Sequence, residues 1–75
     1  MKTPILAQDL ELIALQRIRA FPDGEYVVST RIEREKNVWA LVVSVREGAD
    51  LDHLQYAVRT TERNLHKRYK LRPDK

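Results

Sequence analysis

Apolar positions recur with two different periods along this chain of 75 residues, and the changes of period mark out four elements. Over the first twenty residues the repeat is helical. At about 100° per residue Ala7, Leu10, Ala14, Ile18 and Phe21 share one face, with Leu6, Ile13 and Ala20 widening it on one side and Leu15 on the other. Thr3 and Pro4 read as a cap and a first helical position, where the missing proline N–H costs nothing. The pattern predicts a helix over about 4–20, stopped by Phe21-Pro22-Asp23-Gly24. Leu12 lies nearly opposite the apolar face. With Leu15 it would stay wet on a monomer, which points to a partner.

The period then shortens. Residues 25–33, EYVVSTRIE, and 38–46, VWALVVSVR, are rich in β-branched and aromatic residues and flank Arg34-Glu35-Lys36-Asn37, as in an antiparallel hairpin. Pairing Glu33 with Val38 sets Ile32 against Trp39, Thr30 against Leu41, Val28 against Val43 and Tyr26 against Val45, so that one face collects the large apolar side chains. Val27, Ser29, Arg31 and Glu33 then oppose Val38, Ala40, Val42 and Ser44 on a mixed second face. The turn holds no Asn-Gly or Asp-Gly pair, which leaves its type open.

Beyond Gly48 the helical repeat returns. Asp50 is placed to cap a helix over about 51–70, with Asp52 in its first turn and cations in its last, both suited to the helix dipole. Leu51, Leu54, Val58, Thr61, Leu65 and Tyr69 form its apolar seam. Pro73 limits its extension, leaving a short basic tail, 71–75. The expected architecture is α+β, a single domain over 1–75 in the order α-β-β-α, with the hairpin packed against two helices.

An isolated hairpin is marginal and its two edges are open. A homodimer that extends the sheet, or packs the first helices together, would cover the edges and the surplus leucines at once. The other arrangement is a monomer with the first helix folded under the hairpin.

Composition narrows the class. With 43% hydrophobic and 33% charged residues the chain reads as globular rather than disordered. It has no cysteine, hence no disulfide framework or thiolate metal site, and it suits a reducing cytoplasm. No apolar run approaches a membrane span, and Asp9 and Glu11 interrupt the only stretch resembling a signal peptide. The net charge of +3 is unevenly placed: seven basic and seven acidic residues balance over 1–49, whereas 50–75 hold seven against four.

Candidate chemistry is sparse. His53 and His66 lie 13 positions apart, about 140° around one helix, too far apart to share a metal. Asp50 and Asp52 are explained by capping and the dipole. Ser29 and Ser44 sit in strands without a nucleophile elbow, and two glycines, Gly24 and Gly48, build no phosphate-cradling loop. No enzyme, cofactor or metal is expected.

The cations of the last helix are more informative. With Val58 at the centre of the seam, Arg59, Arg63, His66, Lys67 and Lys70 fall between about 80° and 180°, together with Tyr56. The four permanent charges span roughly 17 Å at 1.5 Å per residue. Such a stripe fits a phosphate backbone, with Tyr56 and His66 as secondary contacts, and makes DNA or RNA the leading ligand. The alternative is a protein-interaction module or small inhibitor. Leu12, Leu15, Val27, Val38, Ala40 and Val42 would form its dimer or partner surface, and the stripe would steer an acidic protein. Solvated charge at a helix end is the plain structural explanation.

The order helix, Phe21-Pro22-Asp23, two strands, helix resembles the second part of the DNA-damage-inducible, recombinase-inhibiting small proteins of enteric bacteria and their phages. The resemblance covers residues 14–69 by element order and only the Phe-Pro-Asp stretch by residue type. Those proteins begin with a strand, absent from the pattern here, and carry an acidic last helix where this one is basic. The assignment is therefore not adopted.

Overall fold

The computed structural model describes residues 2–36 and 38–72. Asn37 of the expected turn and residues 73–75 of the expected basic tail lie outside them. The chain is α+β, with two helices and an antiparallel hairpin.

The first departure from expectation is at the start. Thr3–Ile5 is a strand, β1, and the first helix, α1, runs only over Ala7–Ile18. Thr3 does not cap it; Leu6, in extended backbone, occupies the N-cap position without a side-chain hydrogen bond. Proline drives the residue before it toward extended backbone and is tolerated at a sheet edge, so Thr3-Pro4-Ile5 serves a strand as readily as a helix start. What decides the matter is a partner from the other end of the chain. The last helix, α2, covers Leu51–Arg68, and Tyr69–Leu71 then leave it as a strand, β4, that pairs in parallel with β1. Thr3 faces Tyr69, Pro4 faces Lys70, Ile5 faces Leu71, and the Arg72 N–H donates to the Ile5 carbonyl at 2.8 Å. Tyr69 and Lys70 are therefore not helical.

Between α1 and the hairpin the chain turns sharply. The Ala20 and Phe21 N–H groups tighten the helix end onto the Arg17 and Ile18 carbonyls, Asp23 adopts a left-handed φ of 68°, and Gly24–Tyr26 form one 3-10 turn. A Cβ on Gly24 would fall on the Ile18 carbonyl oxygen. Only glycine lets the backbone pass that close.

The hairpin strands are Val27–Glu35 and Val38–Val45, β2 and β3. Their register differs from the expected one by two residues: Glu35 faces Val38, Arg34 faces Trp39 and Ile32 faces Leu41. Lys36, at a φ of 51°, takes the left-handed conformation a tight connection requires. An even shift preserves faces, so Ile32, Trp39 and Leu41 still point into the core. An irregularity between Val27 and Ser29 then inserts one extra residue in β2. Such a bulge reverses which side chain points inward. Val27 is fully buried, while Val28 is 53% exposed.

Packed under the hairpin are Leu10, Ala14 and Ile18 of α1 and Leu54, Ala57, Thr61 and Leu65 of α2, with Ile5 closing one end. The buried stripe of α2 is thus displaced from the expected seam: Val58 is half-buried and Leu51 is exposed. Leu15 also packs against the core, so it is not a surplus residue.

Both hairpin edges are occupied from within. At the facing pair Ile32/Leu41, the Ile32 N–H donates to the Glu11 carboxylate of α1 at 2.9 Å, and the Leu41 N–H donates to Glu62 of α2 at 2.8 Å. One helical turn beyond Glu62, His66 Nε2 lies 3.1 Å from the Trp39 carbonyl oxygen, and Thr30 donates its hydroxyl to the Glu11 carbonyl at 2.6 Å. Helical side chains stand where a neighbouring strand would pair, a recognised way of protecting an edge. A second chain extending the sheet at these positions would have to displace them.

Candidate anion-binding cleft

The parallel pairing of β1 and β4 has a consequence for charge. It sets Lys2, just before β1, near Lys70 of β4, and it brings both beside the tip of the hairpin. Arg34 fastens that tip to the end of β4 by donating to the Arg72 carbonyl at 2.6 Å. Between these segments opens a cleft of about 490 Å³. Its walls carry Lys2, Arg34, Lys36 and Lys70, together with His66, and among the described residues no carboxylate lines it. In sequence the four permanent cations are separated by 32, 2 and 34 positions, and none is a helical neighbour of another, so the fold is what brings them together.

The floor is aromatic. Trp39 is buried, and the His66 imidazole lies flat on its indole with ring centroids 3.9 Å apart and planes 12° from parallel. A carbonyl only accepts, so the contact with the Trp39 oxygen makes Nε2 the protonated nitrogen. That fixes the ring's orientation and leaves Nδ1 on its other side. Tyr69, half-buried, adds a third aromatic ring to the lining.

The expected stripe is divided by this arrangement. His66 and Lys70 belong to the cleft, although Lys70 reaches it from a strand. Arg59, Arg63 and Lys67 remain on α2, exposed and opposite its buried stripe. Tyr56 is 67% exposed but lies about 15 Å from His66 along the helix. It meets the edge of Phe21 instead, with centroids 6.3 Å apart and an interplanar angle of 77°. Lys2, Arg34, Lys36, Trp39 and Tyr69 were not among the expected contacts. Nothing local in the sequence singles them out, because the pairing of the chain's two ends is what assembles them.

The expected apolar partner surface is also divided. Val27 is in the core and is corrected on that ground; Leu15 packs against the core. Leu12 and Val38 are each 60% exposed, and Val42 is exposed beside half-buried Ala40. Val38, Ala40 and Val42 alternate with core-facing Trp39 and Leu41, so they point away from the helices. Leu12 points away from the core on the helical side, and the two sets do not share one patch.

At the opposite end of α2, Asp50 caps the helix as expected, its Oδ1 accepting from the Asp52 and His53 N–H groups at 3.1 and 3.3 Å. His53 Nδ1 lies 2.8 Å from Asp23 Oδ2 and 3.5 Å from Asp50 Oδ2. The hydrogen bond to Asp23, then the charge of Asp50, raise the His53 pKa above its ordinary 6.5. Capping and ion pairing account for this cluster.

No protein-family model matches the chain, and no curated protein or solved structure matches it either. Among the described residues no helix is long and apolar enough to cross a membrane.

Proposed function

We propose that this chain is a small non-enzymatic binding module that contacts nucleic acid through the cleft between the hairpin tip and the β1–β4 ribbon. One observation carries the reading: Lys2, Arg34, Lys36 and Lys70 converge from separate segments on a space that, among the described residues, no carboxylate lines. Gathering like charges costs free energy unless an anion is bound there. A phosphate backbone supplies the anions in series, and Arg59, Arg63 and Lys67 form an outlying ridge for flanking phosphates. The absence of cysteine suits action in a reducing cytoplasm.

Fluorescence anisotropy with labelled oligonucleotides tests the reading. Four phosphate contacts correspond to a log–log salt slope of roughly −3 to −4. Absence of binding to any oligonucleotide at about 50 mM salt, where phosphate contacts are strong, rejects it.

A second reading rests on a different observation, the exposed Val38 and Val42 of β3 with half-buried Ala40 between them. They would meet a protein partner or a second copy of the chain, with the cleft steering an acidic surface toward it. Since Glu11, Glu62 and His66 occupy the hairpin edges, a homodimer would use this outer face rather than extend the sheet. Val38→Lys with Val42→Lys then lowers the mass seen by light scattering. An unchanged mass removes the homodimer.

A further inference from the structure

The cleft differs from a surface that follows a double helix, and the difference bears on which nucleic acid enters it. This inference rests on the nucleic-acid reading above and narrows it. We infer that the cleft accepts an unpaired stretch of a single strand, with one base laid on the face of His66 turned away from Trp39 and its adjoining phosphates among Lys2, Arg34, Lys36 and Lys70.

Three observations lead there. The cations surround a concavity instead of following a line, since they come from the start of β1, the hairpin tip and β4. A duplex presents its phosphates on a convex surface and is gripped by ridges; a flexible strand can bend into a hollow. The volume, about 490 Å³, falls within the range of pockets that enclose small ligands, enough for a base and its neighbouring groups but not for paired strands. The third observation is the stack. Trp39 holds His66 flat at 3.9 Å, and the Trp39 carbonyl fixes the ring's rotation. An imidazole presented in this way offers a ready aromatic surface, and aromatic side chains, histidine included, receive unstacked bases in single-strand recognition. In a duplex both faces of every interior base are already covered by neighbours, so the third layer on Trp39 and His66 can form only with a base free of its stack.

The outward cations of α2 agree with this division. Arg59 to Lys67 span about 12 Å, enough for one or two flanking phosphates and too short to track a groove. Tyr69 lines the same space from β4.

The test compares a labelled oligo-dT strand of about ten nucleotides with a blunt duplex of the same length, at low salt, using the whole chain. Thymidine monophosphate and inorganic phosphate are titrated in parallel, to separate a strand from a free nucleotide or a bare anion. The single strand is expected to bind at least about tenfold more tightly than the duplex or the mononucleotide. His66→Gln keeps a donor for the Trp39 carbonyl and removes the ring; it should cost the single strand roughly tenfold and leave inorganic phosphate unaffected. Should that variant melt early, Lys36→Gln with Lys70→Gln, at two exposed positions, tests the same cleft: the expected result is weaker binding of the single strand with little change in melting.

Equal binding of duplex and single strand overturns the inference while leaving the nucleic-acid reading in place. So does binding that survives both cleft variants but falls with Arg59→Gln and Arg63→Gln. Tighter binding of thymidine monophosphate than of the strand assigns the cleft to a free nucleotide and overturns it too. Failure of every oligonucleotide to bind removes the inference together with the reading beneath it.

Discussion

Two groups of cations occupy this small molecule, and they are organised by different physics. Arg59, Arg63 and Lys67 are spaced four apart on α2, so the helical repeat alone aligns them on its outward face. Solvent surrounds each, and the arrangement is what any amphipathic helix does with its polar side. Lys2, Arg34, Lys36 and Lys70 owe nothing to a repeat. They meet because the chain ends pair in parallel and because Arg34 ties the hairpin tip to Arg72. A ridge costs the fold little, whereas a cleft of like charges is a place where the fold tolerates repulsion. The second is the stronger indication of a ligand.

The contrast can be broken first through stability. Glu62→Ala strips the Leu41 N–H of its partner at the β3 edge, and an unpaired, part-buried donor costs about 1–3 kcal/mol. Its neighbour on the ridge, Arg63→Ala, should change stability by less than about 0.5 kcal/mol, as exposed substitutions do. Urea midpoints of the two variants compare them directly, and equal losses would mean that the ridge is structural. Affinity comes next. Lys36→Gln with Lys70→Gln is expected to weaken single-strand binding roughly tenfold, against about twofold for Arg59→Gln with Arg63→Gln. Anisotropy at fixed salt reads both, and a reversal of the order would return the interface to the helix.

Behind the ridge, Thr61 is buried with a hydroxyl that finds no hydrogen-bond partner among the described residues. Thr61→Val keeps the shape and removes the stranded polar atom, so it should raise stability by about 1 kcal/mol. A lower melting temperature would show that the hydroxyl has a partner in solution. The smallest effect belongs to His53, at the end of α2 away from the cleft. Its folded pKa is raised, so the stability it adds is full below the ordinary 6.5 and is lost as pH rises through the raised folded value. His53→Ala should abolish that decline. An unaltered pH profile of melting would show that the Asp23 contact contributes nothing in solution.

Local patterns were easiest to read where burial and periodicity agree. Leu10, Ala14 and Ile18 were assigned to one face and are buried together, and Asp50 caps α2 as its position before the apolar repeat implied. The hairpin was legible as a hairpin because β-branched runs flank a polar break. Its register was not, since two pairings that differ by two residues bury the same faces, and only the turn at Lys36 separates them. Val27 and Val28 could not be told apart because a bulge leaves no mark in composition. Open hairpin edges point to a dimer only if nothing in the same chain covers them, and here Glu11, Glu62 and His66 serve the edges from the two helices. Of the cations, those aligned on α2 are visible from their spacing, and the group that meets in the cleft is not.

The alternation of apolar and polar residues was enough to specify two amphipathic helices, a hairpin and an excess of positive charge toward the end, because each depends on neighbours a few positions apart. The strand pairing of Thr3–Ile5 with Tyr69–Leu71, the side-chain closure of the hairpin edges and the meeting of Lys2, Arg34, Lys36 and Lys70 were decided only on folding. Three-residue segments carry too few side chains to announce a strand. They become one when a distant segment supplies the missing hydrogen bonds, and that distance is what a linear pattern does not contain.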